Sequence, residues 1–188
     1  MHIEIFTKLS GVLIENMMKH EQLADAMDFL GFKGLKRWSE YNYFKDSAEL
    51  RSIHRYSVNH FNKMIYDKNI PAPQIIPASW EGATRQQVDT STRKKYLRQM
   101  MYDWHEWEVA TREKYQTWYK QLIDEGHINA AYKVMDLIKC NEKEIKCLER
   151  KLIEYESVEW DMPYIMFQQA ELHEKYKEKE KEIGIDIN

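Results

Sequence analysis

Three of the four prolines in this chain, Pro71, Pro73 and Pro77, fall in one short stretch, and the segments on either side are almost free of helix breakers. Proline fixes φ and cannot donate a backbone hydrogen bond, so the stretch from Asp67 to about Gln86 cannot be helical throughout. Only six glycines occur in the whole chain. So little punctuation favours a few long helices over many short strands.

Apolar residues recur with the helical period on both sides of that stretch. Phe6, Leu9, Leu13, Met17, Ala24 and Met27 make one stripe with His20 filling its gap, which predicts a first helix from about His2 to Leu30. Gly31 and Gly34 offer a left-handed end to it. A second helix is expected from about Leu35 to Tyr66. A connection this short makes the two helices antiparallel neighbours. Thr90 and Thr92 are good N-cap residues for a third helix reaching Asp124, with Leu97, Met100, Trp104, Thr111, Tyr115, Trp118 and Leu122 on one face. Glu125-Gly126-His127 stops it. A fourth helix, about Asn129 to Tyr155, turns Ala131, Val134, Ile138, Ile145, Leu148 and Leu152 inward. After Pro163 a short fifth is expected from Tyr164 to Glu182. The proline stretch, which also holds Gly82, exceeds the usual connection length. Its simplest job is a crossover along the bundle, setting the third helix parallel to the second. At 188 residues the expectation is a single all-α domain.

Several function classes are excluded. The net charge is -3, and the basic residues alternate with acidic ones, as from Lys175 to Glu182, so no clustered basic face points to nucleic acid. No run approaches the ~18 apolar residues that span a bilayer, and no basic region followed by an apolar one suggests a signal peptide. Cys140 and Cys147 lie on one helix face, too far apart to bridge. Unpaired thiols without CxxC spacing fit a reducing, cytoplasmic setting. There is no Gly-rich phosphate loop, GxSxG elbow or HExxH zinc motif.

Two stretches carry a family resemblance. Gly34-Leu35-Lys36-Arg37-Trp38 through Phe44, followed by Asp46-Ser47-Ala48-Glu49, resembles the second helix of ferritins, where an aromatic-rich opening leads into a Ser and acidic cluster. Glu108 through Asp124-Glu125-Gly126 to Asn141-Glu142 resembles the ferritin third-to-fourth helix hairpin, with an acid, a turn and an Asn-Glu pair. The likeness covers roughly residues 5 to 182. It implies a ferritin-like antiparallel four-helix bundle with a long crossover between helices 2 and 3 and a short C-terminal helix. It also implies a homo-oligomer and a di-iron site inside the bundle that oxidises and stores ferrous iron, a ferroxidase activity.

Two ferrous ions carry four positive charges, which carboxylates neutralise and bridge while imidazoles complete the coordination. The resemblance assigns one acid per helix: Glu15, Glu49, Glu108 and Glu142. The histidines of the usual Glu-x-x-His pairs are missing, because Ser52 and Ile145 stand in their places. The site is therefore degenerate. His105 shares a helix face with Glu108 at i, i+3 and offers a substitute nitrogen. A carboxylate site of this kind takes iron or manganese according to geometry and supply. Two readings stay open: an iron-binding protein, or a non-catalytic ferritin-fold module for assembly or protein interaction. The second draws on the lost histidines and on the many Trp and Tyr residues suited to a protein partner. The surroundings of Glu108 and Glu142 discriminate between them.

Overall fold

Each apolar stripe becomes the inward face of a helix: α1 (His2–Leu30), α2 (Lys33–Phe61), α3 (Thr90–Asp124) and α4 (Ile128–Ser157). The computed structural model describes residues 2–67, 69–77, 80, 84–85 and 88–182, and Gly82 lies outside them. α1 packs along α2 and α3 along α4. At the start of α3, Asp89 accepts a hydrogen bond from the Thr92 amide at 2.8 Å, so the cap is one residue earlier than the threonines.

Two boundaries differ from the sequence expectation. α2 stops at Phe61, not near Tyr66, because Asn62 takes a left-handed φ of 51° and returns its N–H to the Val58 carbonyl. Asn tolerates that conformation better than most residues. The last segment is two helices, α5 (Met162–Phe167) and α6 (Gln169–Glu182), broken at Gln168. Pro163 sits inside the first turn of α5, where its missing N–H costs nothing, and Asp161 caps the Tyr164 amide at 2.9 Å.

α6 lies against α2. The Gln169 side-chain oxygen accepts from the Gly34 and Leu35 amides at 3.0 and 3.2 Å, satisfying two of the free donors at the α2 N-terminus. Tyr176 stacks on Trp38 with centroids 5.3 Å apart. The approach is close enough that a Cβ at Gly34 would meet the Gln169 carbonyl oxygen and lie 2.7 Å from Leu172 Cβ. Gly34→Ala is expected to cost about 1–3 kcal/mol, the usual range for overpacking. Urea unfolding followed by circular dichroism measures it, and a loss under about 0.5 kcal/mol would show that α6 is not held there.

The crossover runs the length of α1. Asp67 lies over Gly11, which has no Cβ to obstruct it. Gln22 bonds the Pro73 carbonyl at 2.7 Å and the Ile75 amide at 2.8 Å. Arg85 reaches the Asp28 and Phe29 carbonyls at 2.6 and 3.1 Å. The chain therefore leaves the end of α2 near Phe61, beside His2, and begins α3 at the end where α2 begins. α3 is parallel to α2, the crossover topology of ferritin-like bundles.

The core is divided. One apolar cluster gathers Leu23, Met27, Leu35, Trp38, Leu97, Trp104, Leu148 and Tyr155. The other gathers Phe6, Leu9, Leu13, Ile53, Tyr115, Leu122, Val134 and Ile138. Between them lies a layer of buried polar residues. No described helix is long and apolar enough to cross a membrane.

Candidate metal centre

The polar layer draws on all four long helices: Asn16 and His20 from α1, Asn42 and Asp46 from α2, Glu108 and Thr111 from α3, Asn141 and Glu144 from α4, all buried. Each sits where the helical period would place another apolar residue, so each interrupts its stripe. A polar group so placed must be bonded, protonated or ligated.

Glu108, only 4% exposed, is the most heavily bonded member. Its Oε1 accepts from the Trp107 and Trp104 indoles at 3.2 and 3.4 Å, and its Oε2 from the Asn141 amide at 2.5 Å. His20 Nε2 lies 3.3 Å from Glu108 Oε1 and 3.4 Å from Asp46 Oδ2. Burial pushes the Glu108 carboxyl up, but the His20 bond and charge and the nearby Lys45 outweigh it and hold the carboxyl below its ordinary value.

The other carboxyls are pushed the opposite way. Burial, then the charge of Glu49, holds Asp46 well above the ordinary carboxylate range against the pull of Lys45. Burial also raises Glu49, which bonds the Cys140 thiol, and Glu144, which accepts from the Asn42 amide at 2.7 Å. Burial lowers Lys45, but Glu144, Glu49, Asp46 and Glu108 together raise it and keep it charged. In this layer Glu49 Oε1 accepts no hydrogen bond, and Asp46 Oδ2 has only its 3.4 Å contact with His20.

The five residues assigned from sequence separate into two groups. Glu49 and Glu108 enter this layer. Glu15 does not reach it: it pairs with Lys19 at 2.7 Å on a partly exposed face. His105 turns to Glu149, 3.5 Å away and half exposed. Glu142 is only half-buried, while Asn141 and Glu144 point inward. At 3.6 residues per turn, Glu142 lies roughly 100° from the centre of the buried α4 stripe and Asn141 lies on it. Ser52, at the lost histidine position, accepts from Lys133 at 2.6 Å, and Ile145 is core. The sequence assignment thus left out His20, Asp46 and Glu144. The available signal was a polar residue inside an otherwise apolar stripe, which His20, between Met17 and Ala24, already displayed.

Asp46 and Glu49 form an i, i+3 pair on α2, and Asn141 and Glu144 form one on α4, while α1 brings Asn16 and His20 and α3 brings Glu108 and Thr111. As the side chains stand, they turn toward one another and toward amide donors. Among the described residues no three His, Cys, Asp or Glu side chains surround a common point as ligands of a bound ion do.

No family model matches the chain. No curated protein matches it in sequence. Solved structures do. A humanized archaeal ferritin superposes with a TM-score of 0.72 at 11% identity, covering 92% of this chain and 94% of that one. An open pore ferritin from the hyperthermophilic archaeon Archaeoglobus fulgidus superposes with a TM-score of 0.69 at 10% identity, with the same coverage. With the crossover along α1 and the short terminal helices, this likeness establishes the architecture: the chain has the ferritin-like all-α fold.

Proposed function

We propose that this chain takes up ferrous iron at the layer formed by His20, Asp46, Glu49, Glu108 and Glu144, and oxidises it there. The observation that carries the reading is a buried layer in which four acids, Asp46, Glu49, Glu108 and Glu144, surround Lys45, with Glu49 Oε1 accepting no hydrogen bond and Asp46 Oδ2 having only its 3.4 Å contact with His20. Buried carboxylates in excess of the cations beside them must hold protons or a metal. One donor each from α1, α3 and α4 with an i, i+3 acid pair on α2 brings side chains inward from all four helices, as carboxylate-bridged sites in such bundles do, without their Glu-x-x-His pairs. Here the imidazole comes from α1 and not from α2 or α4.

The side chains have defined tasks in this reading. Asp46, Glu49 and Glu144 release protons as the ion enters and neutralise its charge. His20 gives up its contacts with Asp46 and Glu108 and offers nitrogen. Glu108, held by two indoles and an amide, fixes the position of the others. Ferrous iron is the substrate and loses one electron to an oxygen- or peroxide-class acceptor. Storage of the product in a closed homo-oligomer is the further step that the ferritin neighbours suggest. Manganese is the alternative ion for the same donors.

A second reading is a metal-free ferritin-fold module for assembly or protein interaction. Lys45 favours it, because an ammonium among four acids already supplies one of the charges a metal would bring.

Purified protein incubated with ferrous salt in air and run on a size-exclusion column, with absorbance read at protein and ferric wavelengths, separates the two. Iron is expected to co-elute, and Asp46→Asn together with Glu49→Gln to reduce it at least tenfold. If the protein elutes free of iron while a known ferritin loads, the module reading replaces the iron reading.

A further inference from the structure

α6 is held more lightly than the four long helices. It buries only Gln169, Leu172, Tyr176 and Glu180, and its other side chains face solvent wholly or in part. Of those four, Leu172 and Tyr176 alone join the apolar cluster. Glu180 is 1% exposed and meets the Arg37 guanidinium in an ion pair. That pair offsets only part of the cost of burying it, since burial still holds the Glu180 carboxyl above its ordinary value against the pull of Arg37. A helix of 14 residues is marginal without packing.

Its position matters more than its strength. α6 runs parallel to α2, with Gln169 at the Gly34 and Leu35 amides, Tyr176 between Trp38 and Tyr41, and Lys179 over the Tyr41 ring at 5.5 Å. Tyr176 also neighbours α4: after burial, the charge of Glu144 and then Cys147 push its phenol up. At the same depth the Asn42 amide donates to Glu144 Oε1 at 2.7 Å and ties α2 to α4. The strap thus lies along the seam between α2 and α4 where the polar layer comes nearest to it.

The segment before it is firmly seated. Ile165 of α5 is fully buried, the Tyr164 hydroxyl donates to Glu154 at 2.8 Å, and Lys151 holds Gln168 Oε1 at 3.3 Å. The helical run breaks at Gln168, between this anchor and α6.

We infer that α6 is a detachable cover over the α2–α4 seam, hinged at Gln168, and that its release admits water and ions to Asn42 and Glu144 while the four long helices stay folded. The ion part rests on the polar layer as the site of uptake. Elements with few buried apolar contacts open at lower free energy than the core.

Native-state hydrogen exchange tests the cover in the unaltered protein. The α6 amides, with those of Gly34 and Leu35 that Gln169 accepts, are expected to exchange together and roughly tenfold or more faster than the central amides of α3 and α4. Two substitutions outside the layer pry α6 loose: Gly34→Ala, through the clash with Gln169 and Leu172, and Leu172→Ala, through lost burial. Each should speed α6 exchange by a further factor of about ten and leave α3 and α4 unchanged. Cys147 packs on the cluster that α6 closes, so its labelling by a maleimide, mapped by mass spectrometry, should accelerate with α6 release. Mn²⁺ uptake, followed by loss of the free-ion paramagnetic resonance signal, should become faster while the amount bound stays the same. α6 amides as slow as those of α3 and α4 overturn the inference. So does faster α6 exchange with no change in Cys147 labelling, or with no change in the rate of Mn²⁺ uptake. Mn²⁺ bound by none of the proteins sinks the layer as an uptake site, and exchange and thiol labelling then decide the cover by themselves.

Discussion

Replacing Glu108 by alanine is expected to lower the unfolding free energy by about 3–5 kcal/mol, the usual cost of removing one partner from a buried charged network. At roughly 2–4 °C per kcal/mol for a chain of this size, the melting temperature should fall by on the order of 10 °C. The change strands the Trp104 and Trp107 indoles and the Asn141 amide at once, and leaves His20 Nε2 only its 3.4 Å contact with Asp46. It also removes a negative charge facing Lys45. Glu108→Gln keeps the volume and one acceptor, so its cost should be smaller, about 1–3 kcal/mol. Denaturant unfolding with an unchanged m-value distinguishes lost stability from a changed fold. A loss below about 1 kcal/mol for the alanine variant would mean that Glu108 is not the anchor of the layer. Such a result would also remove its positioning role in metal uptake.

The second large effect couples pH to divalent cations. Asp46, Glu49 and Glu144 all titrate above their ordinary range because burial penalises their charged forms. The folded chain therefore holds protons that the unfolded chain releases. By linkage, stability falls as pH rises from about 4, the unfolded carboxylate value, up through the raised folded values. Glu108 is depressed and acts in the other direction, its contribution being lost only as pH drops through its lowered value. The metal-free protein should thus be more stable in mildly acidic solution than at pH 8.

A bound divalent ion reverses the order, because it replaces the protons that pH 8 removes. At 100 times its dissociation constant, such an ion stabilises by about 2.7 kcal/mol. Manganese, which does not oxidise readily in air, is the convenient probe. Thermal melts with and without Mn²⁺ should show a clear rise at pH 8 and little at pH 5, where protons compete for Asp46 and Glu49. Equal melts at pH 8 would show that the raised acids simply stay protonated around Lys45. The layer would then be a structural device and the chain a scaffold.

Much of the fold was legible in the sequence. The apolar stripes at helical spacing gave the four long helices, and the clustered prolines gave the crossover. Those are local properties, fixed by backbone sterics and by the need to bury one face. The helix ends were less legible. Asn62 ends α2 through a left-handed turn that no strong breaker announced, and Pro163 starts α5 from inside its first turn.

The candidate site was legible only in part, and the reason is angular. Residues one or two apart on a helix face directions about 100° and 200° apart. Deciding between Glu142 and Glu144, or between Glu15 and Asn16, therefore needs the true centre of the buried stripe. Glu108 could be chosen because Trp104 and Thr111 flank it on the same face. Lys45 could not, since on its own helix it reads as one more charge in an acidic cluster. The sequence by itself determined that four long amphipathic helices and a proline crossover would form, because period and punctuation are written along the chain. Only the tertiary structure decided which polar residues meet, because convergence at mid-bundle depends on the rotation of four helices against one another, and that rotation is set by packing of both apolar clusters on either side.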